Sequence, residues 1–386
     1  MKSQLLQAID RQQDTLKEIA LYIGNHPELG HEEMLASARL KSELERQGFR
    51  VESNTLGLKT AFVATYESVK PGPTVAFLCE YDALPGLGHA CGHHLICTMG
   101  LGAAIGLKAV IDTIGGVIRV FGTPAEETTG AKVPMAEAGL FDDVDIALMA
   151  HPFYRFEKSG SSLAMDALQF EFHGKAAHAA ANPQDGVNAL DAVVQLFNSI
   201  NALRQQLPSH VRIHGVIIDG GIAPNIIPEY AAARFYIRSG NRPCTDETVR
   251  KVLLCAEGAA LQTGCTLQTS NYEYSYDELR TNEPLSETFT SNLLELGIQP
   301  GEIKEGQDHG SLDLGNVSRR CPSIHPFVQV IDETFNLHTP EFRDLSMKER
   351  ALDGMLLGAK ALAATAYDVV VDSELLRRIK MAFRPN

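Results

Sequence analysis

His89-Ala90-Cys91-Gly92-His93-His94 lies only three residues beyond Glu80-Tyr81-Asp82-Ala83-Leu84-Pro85. A thiol, three imidazoles and two carboxylates therefore share one glycine-punctuated stretch. The stretch leaves an apolar run, Thr74 to Cys79, that reads as a buried strand. Loops at the carboxyl ends of strands are where open α/β sheets keep their chemistry. Cys91 and His93 are one residue apart, and Gly92 between them lets the backbone turn so that both donors converge. A thiolate beside imidazoles suits zinc and other transition metals rather than magnesium or calcium. A bare Cys-x-His is more often a buried structural cysteine, so the metal reading depends on ligands from elsewhere.

Three further segments supply them. Glu126-Glu127 follows the strand-like run Val117 to Phe121 and a Gly122-Thr123-Pro124 turn. On a solvated helix such a pair is ordinary surface charge. At the end of a buried strand the two carboxylates repel unless a metal or a proton neutralises one. That setting suits one Glu as ligand and the other as general base toward a water that the metal activates. His151 closes the apolar run Ile146 to Ala150, and His338 sits in Asn336-Leu337-His338-Thr339-Pro340. Either histidine alone reads as a satisfied polar residue. Together the four segments offer nitrogen, sulfur and oxygen donors in the number that two metals need.

The elements that must position these groups alternate. Helical spacing runs from about Gln4 to Tyr22 and from Leu35 to Gln47. Strand-like runs follow at Lys59 to Thr65 and Thr74 to Cys79, then a small-residue-rich helix from Leu95 to Ile111. Strands at Gly116 to Gly122 and Ile146 to Ala150 end at the acidic pair and at His151. This βαβ-type grammar predicts an α/β fold with a mixed, mostly parallel sheet sandwiched by helices. Near Ser159-Gly160-Ser161-Ser162 the pattern changes. Strands at Leu168 to His173, Val211 to Ile218, Tyr230 to Arg238 and Thr266 to Tyr274 interleave with helices at about Gly186 to Leu207 and Asp246 to Gln262. That is a βαββαβ layer of about a hundred residues, enough for an inserted α+β domain. The expected division is 165–280 for the insertion, and 1–164 with 281–386 for the metal-binding catalytic domain.

Length and charge narrow the function classes. The 386 residues suit two domains. A net charge of -14 argues against nucleic-acid binding, which needs a basic surface. No apolar run approaches a membrane span, and the start lacks a signal-peptide core, so a cytoplasmic location is expected. Seven cysteines at irregular spacing do not form a disulfide framework.

Glu80 through His93, with Gly310-Ser311-Leu312-Asp313-Leu314-Gly315-Asn316-Val317-Ser318 and Pro322-Ser323-Ile324-His325-Pro326, carries a family resemblance over nearly the whole chain. The sequence resembles the dinuclear metallo-aminohydrolases: aminoacylases, glutamate carboxypeptidases, and hippurate or indoleacetyl-amino-acid hydrolases. Within that family it is most similar to the Cys-Gly-His branch of p-aminobenzoyl-glutamate hydrolase subunits and β-alanyl-lysine dipeptidases. The resemblance implies two divalent ions (zinc, manganese or cobalt) bridged by Cys91, with His93, Glu127, His151 and His338 as the other ligands. It implies Glu126 as general base and Asp82 orienting a ligand. The insertion becomes a lid and dimerisation domain, which implies a homodimer. Its His178, in Gly174-Lys175-Ala176-Ala177-His178-Ala179-Ala180, reaches the scissile carbonyl, often across the dimer. Asn225 and Arg238 match positions that hold the substrate backbone and carboxylate, and a hairpin-like return after Pro228 is expected to bring both to one rim. Two residues depart from the family pattern. His94 stands where Asp or Asn is common, and Glu80 where distant relatives place a metal-binding His, so either could disturb the ligand set.

The implied activity is hydrolysis of a small amide: an N-acyl amino acid, an aminobenzoyl-glutamate-like conjugate, or a plain or β-alanyl dipeptide. The residues do not separate these, because each needs the same attack on a carbonyl. A silent binding paralogue is disfavoured by the retained carboxylates. A thiol redox protein is disfavoured because Cys79 and Cys97 lack Cys-x-x-Cys spacing with Cys91.

Overall fold

The structure, a computed structural model, describes residues 1–307 and 310–384. It divides into two compact units, each with its own apolar core. The second comprises Ser162–Glu278 and Gly310–Leu312, and the first takes the chain on either side.

The first unit opens with α1 (Lys2–Arg11) and α2 (Gln13–Asn25). The helical pattern expected to run unbroken to Tyr22 splits at Gln12, whose φ and ψ are -103° and 4°. Leu5, Ala8 and Ile9 are buried before the break and Leu16, Ile19, Ala20 and Ile23 after it. The polar run between them, Asp10 to Asp14, buries nothing that would keep the ladder straight. α3 (Met34–Arg46), β1 (Arg50–Ser53), β2 (Phe62–Glu67), β3 (Thr74–Cys79) and α4 (His93–Ile114) follow. Next come β4 (Val117–Gly122), α5 (Lys132–Glu137), β5 (Ile146–Leu148), β6 (His151–Phe153) and β7 (Phe156–Glu157).

The chain then builds the second unit from β8 (Ala164–His173), α6 (Ala189–Leu203), β9 (Arg212–Asp219), β10 (Tyr230–Ser239), α7 (Arg242–Thr263) and β11 (Thr266–Asn271). The four strands form an antiparallel sheet in the order β11-β8-β10-β9. Phe170, Phe172, Phe235 and Ile237 pack with Ala192, Val193 and Leu196 of α6 and Val252 and Ala256 of α7. Both helices start at an asparagine whose side chain accepts a first-turn N–H, Asn188 for α6 and Asn241 for α7. β9 lies at a sheet edge with Val216, Ile217 and Ile218 exposed.

On its return the first unit adds α8 (Glu283–Glu295), β12 (Ile303–Lys304), α9 (Leu314–Val317), β13 (Ser323–Ile324), β14 (Phe327–Gln329), α10 (Pro340–Ser346), α11 (Glu349–Val371) and α12 (Ser373–Ala382). Its main sheet runs β1-β2-β4-β3-β5-β13. β4, β3, β5 and β13 are parallel, and β1 and β2 form an antiparallel edge, so the sheet is mixed with a parallel centre. β3 is buried along nearly its whole length, which explains its unbroken apolar run. A small second sheet sets β14 parallel to β6 with Phe327 opposite His151.

α4 and α11 pack against each other through the core. Their mean hydropathies over an 18-residue window are 1.7 and 1.4, and both are long and apolar enough to cross a membrane. The expectation that no run approaches that length is thereby corrected. Lys108 and Asp112 interrupt α4 in sequence only near its end, and its length comes from burial against β3, α1 and α11.

Candidate metal centre

The loop after β3 delivers its donors because α4 starts inside the motif. His93 is the first residue of α4 and Gly92 is its N-cap, at φ 81°. A Cβ at Gly92 would also come within 2.6 Å of Pro152 Cγ. The left-handed conformation and the close approach both require glycine. Cys91 and His93 are then held at the buried mouth of the central strands.

His151, the first residue of β6, brings its Nε2 to 3.5 Å from Cys91 Sγ. Its Nδ1 lies 2.8 Å from the Pro152 carbonyl, which fixes Nδ1 as the donor and leaves Nε2 available for coordination. His93 is oriented in the same way by Asp82, whose Oδ1 is 3.0 Å from His93 Nδ1. Asp82 Oδ2 accepts the Glu127 backbone N–H at 2.9 Å. One carboxylate thus aligns the imidazole and the acidic turn. His338, at φ 62°, places its Nε2 3.1 Å from Glu127 Oε1.

The donor atoms fall into two groups that share one sulfur. Cys91, His93 and His151 lie within 4.8 Å of one another, as do Cys91, Glu127 and His338. Among the described residues, buried His93 Nε2 has no hydrogen-bond partner, and Glu127 Oε1 has none with hydrogen-bond alignment although His338 is close. Buried nitrogens and oxygens that face one another without aligned hydrogen bonds are what a shared cation would organise. The donor set and these two orphaned atoms fit the binding of divalent metal, with Cys91, His93, His151, Glu127 and His338 as the residues that would hold it.

Without a cation, the surroundings of Cys91 favour the neutral thiol over the thiolate. Burial pushes the Cys91 thiol well above its ordinary range, and Glu127 pushes it further. Burial likewise drives Glu126 well above the usual carboxylate range, reinforced by the negative charges of Glu80, Glu127 and Asp313. Glu127 moves the opposite way: burial opposes its charge, but His338 and His93 hold it below the usual value. Of the two neighbours, Glu126 therefore has the higher affinity for a proton.

The two departures from the family pattern take different places. His94 is fully buried, its Nε2 3.3 Å from the Ser346 carbonyl, and burial pushes it down to about 4. It is a neutral core histidine outside both donor groups. Glu80 does lie near the centre, grouped with His93 and Glu126. Its Oε1, however, is 2.6 Å from Lys132 Nζ, which is also 2.6 Å from Asp313 Oδ1. Burial works against the ammonium, yet Asp313 and Glu80 hold it protonated. Sequence reasoning passed over Lys132, which reads as a solvated lysine at a helix start but is fully buried. Asp313 lay within the Gly310–Ser318 motif without a role, and gripping Lys132 through both Nζ and the backbone N–H supplies one.

His178, Asn225 and Arg238 belong to the second unit. Ala179 N donates to the Asn225 carbonyl at 3.0 Å, and His178 pairs with Ile226 in a β-bridge, so His178 and Asn225 are neighbours. Both are exposed. Arg238 lies near the far end of β10, eight residues beyond Tyr230. At the rise of a strand that is about 26 Å, so the expected shared rim of Asn225 and Arg238 does not form within the unit. The turn at Pro228 leads straight into β10 instead of folding back. The Arg238 guanidinium lies 5.1 Å from the centroid of the Tyr236 ring, and among the described residues its buried Nε has no partner.

Comparison with known proteins places this geometry. The model of the peptidase dimerisation domain matches residues 165–253. The chain is 37% identical over 400 residues to the Xaa-Arg dipeptidase of Mus musculus, covering 100% of this chain and 92% of the relative. This chain belongs to the M20 peptidase family. A p-aminobenzoyl-glutamate hydrolase subunit of Escherichia coli is 30% identical over 444 residues, 96% of this chain and 92% of that one. The fold is shared with a dinuclear metal binding peptidase of the M20 family from Bacillus subtilis, at a TM-score of 0.67 and 19% identity over 94% of this chain and 100% of that one. The M20 chain described here is accordingly a metal-dependent hydrolase of amide bonds.

Proposed function

We propose that the protein hydrolyses a small amide with a free carboxylate on its leaving side, either a dipeptide or an N-acyl amino acid of the p-aminobenzoyl-glutamate kind. The observation that carries this reading is the pair of three-donor groups sharing Cys91, with Glu126 beside them and its carboxyl pushed toward the protonated form. Cys91, His93, His151, Glu127 and His338 would hold two divalent ions of the zinc, manganese or cobalt type, with Asp82 orienting His93. When bound, such ions supply Lewis acidity that lowers the pKa of water and polarises a carbonyl. Glu126 takes a proton from the attacking water and hands it to the leaving amine nitrogen as the C–N bond breaks. His178 donates to the carbonyl oxygen as negative charge develops there. No covalent acyl-enzyme is needed.

A screen of metal-replete protein against p-aminobenzoyl-glutamate, N-acetyl amino acids, and α- and β-alanyl dipeptides, some ending in arginine, decides the substrate class. Mass spectrometry would identify the released amines. A relative that is an Xaa-Arg dipeptidase over the full length supports dipeptide cleavage. Release of amine only from the acylated compounds would move the assignment to N-acyl amino acids. Protein carrying two metals that cleaves none of these compounds would overturn the reading.

Arg238 is proposed to grip the substrate carboxylate, since a guanidinium with an Nε unpartnered among the described residues and an aromatic support is suited to bidentate binding. Arg238→Lys should raise KM for the acid about tenfold or more, with little change for its amide, because an ammonium cannot reproduce the fork. Equal losses on both substrates would leave Arg238 a structural residue.

A homodimer through the second unit is supported by the dimerisation-domain match and by the exposed apolar edge of β9. If His178 and Asn225 serve the partner's metals, mixing His178→Ala with Glu126→Gln protein should restore about a quarter of wild-type activity, since half the dimers are hybrids with one intact site. No recovery after verified subunit exchange would place His178 in its own chain's site or outside catalysis. The irregular spacing of the seven cysteines, unlike a disulfide framework, supports a cytoplasmic site of action.

A further inference from the structure

The turn that carries Glu126 and Glu127 is gripped on both sides by carboxylates from elsewhere in the chain. Ala125 occupies the left-handed region at φ 62°, an unfavourable conformation for a residue with a Cβ. Its carbonyl accepts from Gly130 N at 2.7 Å and Thr128 N at 3.2 Å, which closes the turn locally. Its N–H has no backbone acceptor among the described residues and instead donates to Glu33 Oε1 at 2.8 Å. Two residues on, the Glu127 N–H donates to Asp82 Oδ2 at 2.9 Å. The backbone is thus clamped immediately before and immediately after Glu126.

Glu33 is built into this position. It is fully buried, and its other oxygen accepts from Thr60 Oγ1 at 2.9 Å. The Thr60 carbonyl accepts from Ser37 Oγ and Tyr81 Oη, both at 2.7 Å. Tyr81 directly precedes Asp82, so the two clamping carboxylates are tied to one buried network. The loop before Glu33 backs the turn closely: a Cβ on Gly30 would come within 2.6 Å of Thr128 Oγ1 and 2.9 Å of Ala125 Cβ. A buried carboxylate is costly to keep, and here it accepts from an N–H that the left-handed turn leaves without a local partner.

We propose that Glu33 is a positioning residue for Glu126, holding the Ala125–Glu127 turn in its left-handed form through the length of its side chain. The proposal rests on Glu126 as the general base. It predicts dependence on reach and not on charge. Glutamine at position 33 keeps an oxygen at full reach for Ala125 N–H and can present its amide to the Thr60 hydroxyl, which is able to accept. Aspartate keeps the charge but withdraws the acceptor by one methylene.

The test compares Glu33→Gln and Glu33→Asp as metal-loaded, full-length proteins, each checked for metal stoichiometry and melting. In Glu33→Asp, kcat should fall about tenfold or more with KM little changed, the signature of a misaligned reacting group. Amide hydrogen exchange at Ala125 should accelerate about tenfold or more, a readout independent of activity. In Glu33→Gln, kcat should stay within about threefold of wild type and Ala125 exchange should stay slow. Wild-type kcat and slow exchange in Glu33→Asp would overturn the proposal, as would a reversed order in which Gln is damaged and Asp is not. If Glu33→Asp does not fold, Glu33→Gln still decides, because fast Ala125 exchange or a tenfold loss of kcat in that variant refutes the role of reach. Failure of the base assignment is separable: it would appear as an active Glu126→Gln enzyme, whereas an inactive Glu126→Gln beside a fully active Glu33→Asp removes only the positioning role.

Discussion

Cys91→Ala should strip the paired-metal centre and lower turnover by three orders of magnitude or more, about the scale set by losing a metal's Lewis acidity. The size follows from the sharing of one sulfur. Each donor group contains three residues, and Cys91 is the member common to both. Without it, one group is left with His93 and His151 and the other with Glu127 and His338, two donors each. Tetrahedral sites for such ions are built from at least three protein ligands. No neighbouring thiol can substitute. Cys79 and Cys97 are buried, and their sulfurs point to backbone carbonyls at 3.4 Å. Elemental analysis of wild type and variant after the same metal loading is the measurement. Two ions retained at full activity would show that the bridge lies elsewhere. Loss of both ions without loss of the melting transition would show that the centre is catalytic and is not a structural staple.

The loop that carries Cys91 and His93 was legible because the sequence concentrates it. A buried strand, a Gly-rich motif and a helix rich in small residues lie in order along the chain, and local pattern is enough to read them. The βαββαβ insertion was legible for the same reason, since its strands and helices alternate at short range. What escaped depends on contacts between distant residues. Glu33 meets Ala125 across 92 positions and Lys132 meets Asp313 across 181, and nothing in the periodicity of either segment signals the partner. The helix that Lys132 opens even argues the wrong way, since a lone lysine at a helix start reads as solvated. The shared rim of Asn225 and Arg238 was inferred from a proline turn. A ten-residue β10 fully paired with β8 separates the two, and a turn residue cannot reveal the length of the strand that follows it.

Glu126→Gln should leave metal content near two while lowering turnover by about two orders of magnitude or more, the usual scale for a general base. Glu127→Gln should cost metal first and activity as a consequence. The two side chains are chemically identical and adjacent, so the distinction rests on what each faces. Glu127 turns its Oε1 to His338 Nε2 at 3.1 Å, and His338 and His93 keep it ionised against burial, as a ligand requires. Glu126 Oε2 lies 3.9 Å from His93 Nε2, about as near as Glu127, but burial and the negative charges of Glu80, Glu127 and Asp313 outweigh that imidazole and raise its affinity for a proton. A carboxylate that welcomes a proton suits taking one from water and returning it to an amine nitrogen. In Glu126→Gln the amide would keep the size and could not accept the proton, so kcat should fall with KM little changed. In Glu127→Gln the amide would keep one oxygen but lose the negative charge that attracts the cation, so added metal should recover part of the activity. Excess metal should recover none in Glu126→Gln. Should Glu127→Gln keep both ions and lose turnover while Glu126→Gln loses metal, base and ligand exchange places within the pair. The turn gripped by Glu33 and Asp82 would then aim the other carboxylate at the water.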